Sequence, residues 1–205
     1  MERICAIFSH YRRISLTEMC LQKLAQQTVP PHRVVVADNG AGDGSLDGVK
    51  EQAAAGAYPF MLEIIDMPGN TGNAGGIARG LERAFSFPDV DAVWILDDDS
   101  WPEPDALACL LSHGPGTDGM EWPCVRGCKV VDLKQGGELS WPMVLLDEKD
   151  GRRIHVTRGD ALPEAPFLLT GGAFLGALVP REIHDKVRGP TAGLFIRGED
   201  EEYPW

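Results

Sequence analysis

Asp97-Asp98-Asp99 closes the apolar run Ala92 to Leu96, and three adjacent carboxylates in such a place repel one another unless a cation compensates them. Oxygen donors alone suit Mg2+ or Mn2+. Extended backbone would send Asp97 and Asp99 to one side and Asp98 to the other. The alternative is a solvated acidic turn that also caps a helix beginning near Pro102. Other apolar runs end in Ser9-His10-Tyr11-Arg12, in Asp38-Asn39-Gly40 and in Asp66-Met67-Pro68-Gly69-Asn70, so three of the four run ends carry an aspartate. Asn70-Thr71-Gly72-Asn73-Ala74-Gly75-Gly76 then precedes a helical pattern with Arg79 on its first turns. Glycines there allow a ligand close to the backbone, and free N–H groups favour an anion; a tight turn that needs glycine for geometry alone is the other reading. Glu199-Asp200-Glu201-Glu202, near the end of the sequence, reads by composition as a solvated or frayed segment.

The elements that must position these groups alternate. Arg3 to Phe8 is a strand pattern, followed by a capping box at Ser15-Leu16-Thr17-Glu18 and an apolar face at Leu16, Cys20 and Leu24. Arg33 to Ala37 is a β-branched run suited to a strand buried on both faces. Helix is expected over Ser45 to Ala55, strand over Met61 to Ile65, helix over Asn73 to Phe85 and strand over Ala92 to Leu96. Strands separated by helices predict an α/β fold whose mostly parallel sheet has helices on both faces, and ligands of such sheets sit beyond the carboxyl ends of the strands.

After Trp101 the pattern becomes mixed. Pro102 and Pro104 open a short helix through Leu111, Val125 to Leu133 and Glu138 to Leu146 form a hairpin-like pair, Arg152 to Thr157 is a further strand, Thr170 to Val179 is a glycine-laced apolar run, and Pro180 begins a brief helix.

Composition narrows the function classes. With 205 residues and 43% hydrophobic content the chain can bury a core. The net charge of -12 argues against a nucleic-acid partner. No apolar run approaches the ~18 residues of a membrane span, and the opening residues lack a signal peptide's pattern; a cytoplasmic location follows as an expectation. The five cysteines do not form a disulfide framework, and Cys124-x3-Cys128 lacks the second pair a zinc finger needs. Gly40-x-Gly42-x-Gly44 follows the second strand and lacks G-x-G-x-x-G spacing, which disfavours a dinucleotide-binding dehydrogenase. Arg152, Arg153 and Arg158 read as a surface patch.

Taken in order, these segments resemble the family-2 glycosyltransferases of GT-A fold, most closely bacterial rhamnosyl- and galactofuranosyl-transferases. Ser9-His10-Tyr11-Arg12 is similar to the family's T-Y-N-R turn, with Tyr11 in place of Asn. Asp38-Asn39-Gly40 with Asp43 is similar to D-N-x-S-x-D, Asn70 to Gly76 to N-x-G-x-x-G-G, Asp97 to Asp99 to the D-D-D metal motif, Thr170-Gly171-Gly172-Ala173 to the acceptor loop, and Glu199 to Glu202 to E-D-x-[DE]. The resemblance implies a single GT-A domain, with residues 1–100 as the nucleotide-sugar half and 101–205 as a mixed acceptor-side half, truncated after Trp205.

It further implies an inverting, metal-dependent hexosyltransferase of polysaccharide biosynthesis that takes a UDP- or dTDP-sugar. Ser9, Arg12, Asp38, Asn70, Gly75, Arg79 and Asp98 would bind the nucleotide sugar, and Asp97 and Asp99 would hold Mn2+ or Mg2+. Gly171, Gly172 and Glu199 would meet a glycan or lipid-linked glycan acceptor, and Asp200 would be the general base. The implied location is cytoplasmic or peripheral at the inner face of the membrane, with no integral membrane segment. Two rivals stand beside this reading: a non-catalytic nucleotide-sugar or glycan-binding module, and a nucleotidyltransferase, which would carry a Gly-rich basic loop after its first strand.

Overall fold

β1 (Ile4–His10), β2 (Arg33–Asp38), β3 (Met61–Asp66) and β4 (Ala92–Ile95) pair in parallel, and β9 (Leu178–Pro180) adds antiparallel to β4, giving the order β3-β2-β1-β4-β9. The computed structural model describes residues 2–40, 42–112, 123–146, 152–162, 169–171, 175–187, 189–190 and 194–195. Between the parallel strands run α1 (Ile14–Ala25), α2 (Asp47–Ala54) and α3 (Gly72–Phe85), and α4 (Ala106–Ser112) follows β4. The mostly parallel α/β sheet expected from the alternation is present.

Alternation along the central strands divides the core in two. Ile4, Ala6 and Phe8 of β1, with Val34, Val36 and Trp94, pack against Cys20, Leu21 and Leu24 of α1 and Leu107 and Leu110 of α4. Cys5 and Ile7, with Val35, Val93 and Ile95, pack against Ile77, Leu81, Ala84 and Phe85 of α3. Period-two side-chain direction thus gives β1, β2 and β4 two buried faces, which is why the β-branched Arg33 to Ala37 run suits β2. α3 approaches closely because Gly80 has no side chain: a Cβ there would stand 3.3 Å from Ile7 Cδ1.

A second, antiparallel sheet joins β5 (Val131–Asp132), β6 (Glu138–Leu146) and β7 (Arg153–Arg158), with β8 (Leu169–Gly171) paired to β6. The segment leading to β5 meets the first sheet through an isolated antiparallel bridge between Arg126 and Leu178 of β9. Arg181, at the start of α5 (Arg181–Val187), fastens the turn before β4 by donating to the carbonyls of Phe85, Phe87 and Val90. Among the described residues no helix is long and apolar enough to cross a membrane.

Several boundaries differ from expectation. The capping box does not form: α1 begins at Ile14 with Arg13 at its N-cap and no side-chain cap bond. β1 continues to His10, and Arg12 takes a left-handed φ of 57°, so the chain reverses at once and the helix starts before Ser15. Thr17 then joins Cys20, Leu21 and Leu24 on the buried face, while Leu16 is half-buried. α4 starts at Ala106 rather than Pro102, where the Gln27 side chain accepts from Leu107 N–H at 3.1 Å. Val125 to Leu133 is strand only at Val131–Asp132, and Thr170 to Val179 divides into β8 and β9 around residues outside the described set.

Candidate active site

Asp38, Asp97 and the Ser9–Arg13 turn meet at the carboxyl ends of β1, β2 and β4, where an open α/β sheet has a crevice. The side chain that joins them is Asn39. Its Nδ2 donates to Ser9 Oγ at 2.7 Å and to the Gly72 carbonyl at 3.1 Å. Its Oδ1 accepts from Thr71 N–H and Thr71 Oγ1, both at 2.9 Å. Buried at 3% exposure, this amide spends its full hydrogen-bonding capacity on holding the end of β1 and the start of α3 to the end of β2.

Asp38 Oδ1 accepts from Gly40 N–H at 2.9 Å, an Asx-type turn that carries the chain into the Gly40 to Ser45 loop. His10, fully buried, pairs through Nδ1 with Thr17 Oγ1 at 2.8 Å and through Nε2 with Ser45 Oγ at 3.0 Å, fastening that loop to α1. Burial lowers the His10 pKa, against the pull of Asp38 and Asp43, which favour the charged imidazole. Arg12 is exposed, its guanidinium 5.1 Å from the Tyr11 ring centre, and its left-handed backbone is the kind of strain that collects at functional turns.

The three aspartates do not alternate as expected. β4 pairing stops at Ile95 and the chain turns at Asp98–Asp99, so both of those carboxylates reach one guanidinium. Arg13 donates through Nη2 to Asp98 Oδ1 and through Nη1 to Asp99 Oδ2, the latter at 2.8 Å. Asp97 instead accepts from Asn73 Nδ2 at 3.3 Å. Burial, then the neighbouring charges of Asp99 and Asp98, push the Asp97 pKa up to about 6. Asp98 is also raised to about 6, by burial first, with Arg13 opposing. Among the described residues, Asp98 Oδ2 is buried and has no hydrogen-bond partner.

That orphaned oxygen, and three carboxylates facing one guanidinium, leave a negative excess that a hard divalent cation would relieve. Among the described residues no three His, Cys, Asp or Glu side chains converge to hold an ion. The residues therefore fit a cation that completes its shell from elsewhere, as Mg2+ does when it binds through one or two carboxylates plus phosphate oxygens.

The Asn70–Gly76 segment is partly engaged within the protein. Three of its backbone N–H groups have partners: Thr71 donates to Asn39, Gly72 to Asn70 Oδ1 at 3.0 Å, and Ala74 to the Phe195 carbonyl at 3.0 Å. The glycines have packing causes. A Cβ on Gly75 would meet the Thr71 side chain, and one on Gly76 would stand 2.9 Å from Ser9 Cβ. Gly72, at φ +71°, leaves room for Phe195, whose carbonyl carbon would lie 2.7 Å from a Cβ there. Arg79 is exposed and pairs with Glu82 at 3.0 Å. Gly171 lies in β8 opposite Val144. Gly172, Glu199 and Asp200 lie outside the described residues.

Sequence reasoning missed Arg13, Asn39 and Asn73 as site-building residues. A signal existed for the first: three adjacent carboxylates require a cation, and the Arg12-Arg13 pair follows a neighbouring strand. Asn39 stood inside a quoted motif, but nothing in its spacing reveals a four-bonded amide.

The description glycosyl transferase family 2 belongs to the family whose sequence model matches residues 5–128. This chain is a member of that family. Galactofuranosyltransferase GlfT1 of Mycolicibacterium smegmatis is 26% identical over 208 residues, covering 98% of this chain and 64% of that protein. The Mycobacterium tuberculosis protein of the same name is 32% identical over 207 residues, covering 98% and 63%. The chain thus spans under two thirds of the length of these relatives. Among solved structures, mannosyltransferase PcManGT from Pyrobaculum calidifontis in complex with GDP-Man and Mn2+ superposes with a TM-score of 0.59 at 19% identity, over 98% of this chain and 50% of that one. S. aureus TarS 1–349 gives 0.58 at 17%, over 100% and 54%. The fold they share with this chain is GT-A.

Proposed function

We propose that this chain is the catalytic part of an inverting, metal-dependent glycosyltransferase that moves a sugar from a UDP- or dTDP-linked donor to a glycan hydroxyl, in polysaccharide biosynthesis. The observation that carries it is the acidic turn after β4: three adjacent carboxylates, two of them sharing one guanidinium, at the same strand-end crevice of a GT-A sheet as Asp38. The Mn2+ in the PcManGT complex supports Mn2+ or Mg2+ here. The name of the mycobacterial relatives makes a galactofuranosyl donor the first to test.

Asp38 offers a carboxylate oxygen at the strand end that can accept from a base's N–H, with Ser9, Arg12, Asn70, Gly75 and Arg79 as further donor-site candidates. Asp97 and Asp99 would hold the cation, and Asp98, buried against Arg13, would support the turn from beneath rather than meet the ribose or sugar. A bound divalent ion neutralises charge that develops on the leaving diphosphate. Asp200 takes the proton from the acceptor hydroxyl as its oxygen attacks the anomeric carbon from the face opposite the diphosphate. The new glycosidic bond forms as the carbon–phosphate-oxygen bond breaks, and one displacement inverts the configuration. Gly171, Gly172 and Glu199 are assigned to the acceptor, a glycan or lipid-linked glycan. Residues 1–100 serve the donor and 101–205 the acceptor, at a cytoplasmic site or the inner membrane face.

The test is product analysis with a panel of nucleotide sugars, in Mn2+ and in EDTA. Nucleoside diphosphate release that requires the metal is expected. Pyrophosphate release would identify a nucleotidyltransferase, and metal-independent binding without turnover a binding module. In a form that includes any residues beyond Trp205, Asp200→Asn is expected to lower turnover by about 10²-fold with donor binding retained; wild-type turnover would move the base elsewhere. Asp38→Ala should weaken UDP or dTDP binding and, by losing the Gly40 bond, lower the Tm by about 2–4 °C. A lowered Tm with unchanged nucleotide affinity would leave Asp38 its turn-capping role alone.

A further inference from the structure

The acidic turn brings its own counter-ion, and the two contacts that ion makes are unequal. Arg13 grips Asp98, whose side chain is 2% exposed, and Asp99, whose side chain is 49% exposed. The first contact is shielded from water, and the second is open to exchange. Asp97 makes no hydrogen bond to the guanidinium and rests through Oδ1 on Asn73, while among the described residues the second oxygen of Asp98 is buried without a partner. A cation approaching these carboxylates would meet Asp97 outside the grip of Arg13 and Asp99 within it, above a buried charge on Asp98 that one guanidinium contact leaves half-satisfied.

We propose that Arg13 is a resident counter-cation of the acidic turn: it keeps Asp98 oriented throughout and competes with the divalent ion for Asp99. In the free protein it holds the turn together without metal. When a nucleoside diphosphate arrives, its phosphate oxygens offer a guanidinium released from Asp99 a bidentate partner. Arg13 thereby links metal uptake to donor binding, since the metal alone must displace a guanidinium and the metal with diphosphate need not leave it unpaired. It is a positioning residue. The inference rests on the metal-dependent reading above, and its test separates the two.

The probe is Mn2+ alone, titrated by calorimetry into wild type, Arg13→Gln and Arg13→Lys without nucleotide, with melting temperatures measured in EDTA and in Mn2+. Removing one positive charge beside the ion is expected to tighten Mn2+ binding in Arg13→Gln by about 5- to 10-fold, allowing for solvent screening. In EDTA this variant melts several degrees below wild type, and Mn2+ restores most of the loss. Arg13→Lys keeps the charge but not the fork, so it folds in EDTA and gains no more than about twofold in Mn2+ affinity. Mn2+ binding that is unchanged or weaker in Arg13→Gln, with a melting loss that Mn2+ leaves unrepaired, overturns the competition and leaves the metal reading standing. Absence of Mn2+ binding in wild type and both variants overturns both.

Discussion

Asp97→Asn is expected to push stability and ligand binding in opposite directions. Asp97 is raised from the ordinary 3.8 to about 6, by burial and then by the charges of Asp99 and Asp98. The folded state therefore binds its proton more tightly than the unfolded chain. The stabilisation this gives is complete below about pH 4 and is lost as the pH rises through 6. At pH 7.5 the metal-free protein carries the full repulsion of a deprotonated Asp97, and an amide removes it while keeping a partner for Asn73. A gain of about 1 kcal/mol, or a Tm rise of about 2–4 °C in EDTA, is expected, with a flatter pH–stability curve between 4 and 6. Binding should move the other way. An amide is a neutral, weaker donor, so Mn2+-dependent affinity for a nucleoside diphosphate should fall by about 10²- to 10³-fold. Wild-type affinity should itself rise with pH through 6, because a proton and a cation compete for the same carboxylate. Melting curves in EDTA and calorimetry with UDP and Mn2+ check both arms. A variant that is less stable in EDTA, or that binds UDP and Mn2+ as tightly as wild type, removes Asp97 from the metal role.

How much of this was legible in the sequence depended on whether the cause was local. Alternating apolar residues in Ile4 to Phe8 and Arg33 to Ala37 face two helical layers because side-chain direction has period two in any strand. The strand-end aspartates were legible for the same reason, since each follows an apolar run whose end is visible. The Arg13 contacts were not: the partners lie 85 and 86 positions away in the chain, and only the sheet order brings the β1 turn beside the β4 turn. The mistaken capping box had a local signature and a non-local correction, because β1 is extended to His10 by its pairing with Asp38. The glycines of Asn70–Gly76 were read first for a ligand's approach. Their immediate neighbours are Thr71, Ser9, Asn39 and Phe195, so packing alone requires glycine there whatever ligand binds nearby.

Asn39→Ala is expected to be the most damaging small substitution at the site. Four hydrogen bonds pass through one buried amide. Alanine removes the hub but leaves Ser9 Oγ, the Gly72 carbonyl, Thr71 N–H and Thr71 Oγ1 to find new partners. Water can reach some of them, since Ser9 and Thr71 are only half-buried. The Gly72 carbonyl is in a buried residue, so its loss is the hardest to repair. At about 1 kcal/mol for each bond that water does not replace, and more for a stranded buried group, the cost should be about 3 kcal/mol or more and the Tm should fall by roughly 10 °C. The functional effect follows from the same contacts. Thr71 and Gly72 lead into Asn73, whose amide holds Asp97, so loosening the start of α3 also loosens the support of the acidic turn. UDP affinity in Mn2+ should therefore drop at temperatures where the variant is still fully folded. Asn39→Asp gives the control. Its carboxylate can still accept from Thr71 and from the Ser9 hydroxyl, but it sets a buried charge against the Gly72 carbonyl oxygen, so its stability should fall at least as far as that of alanine. A double-mutant cycle with Thr71→Val then isolates the pair, and a coupling above about 0.5 kcal/mol is expected for residues in direct contact. Additive losses, or an Asn39→Ala variant within about 1 kcal/mol of wild type, would mean that water substitutes for the amide and that sheet and helix packing holds the crevice in shape without it.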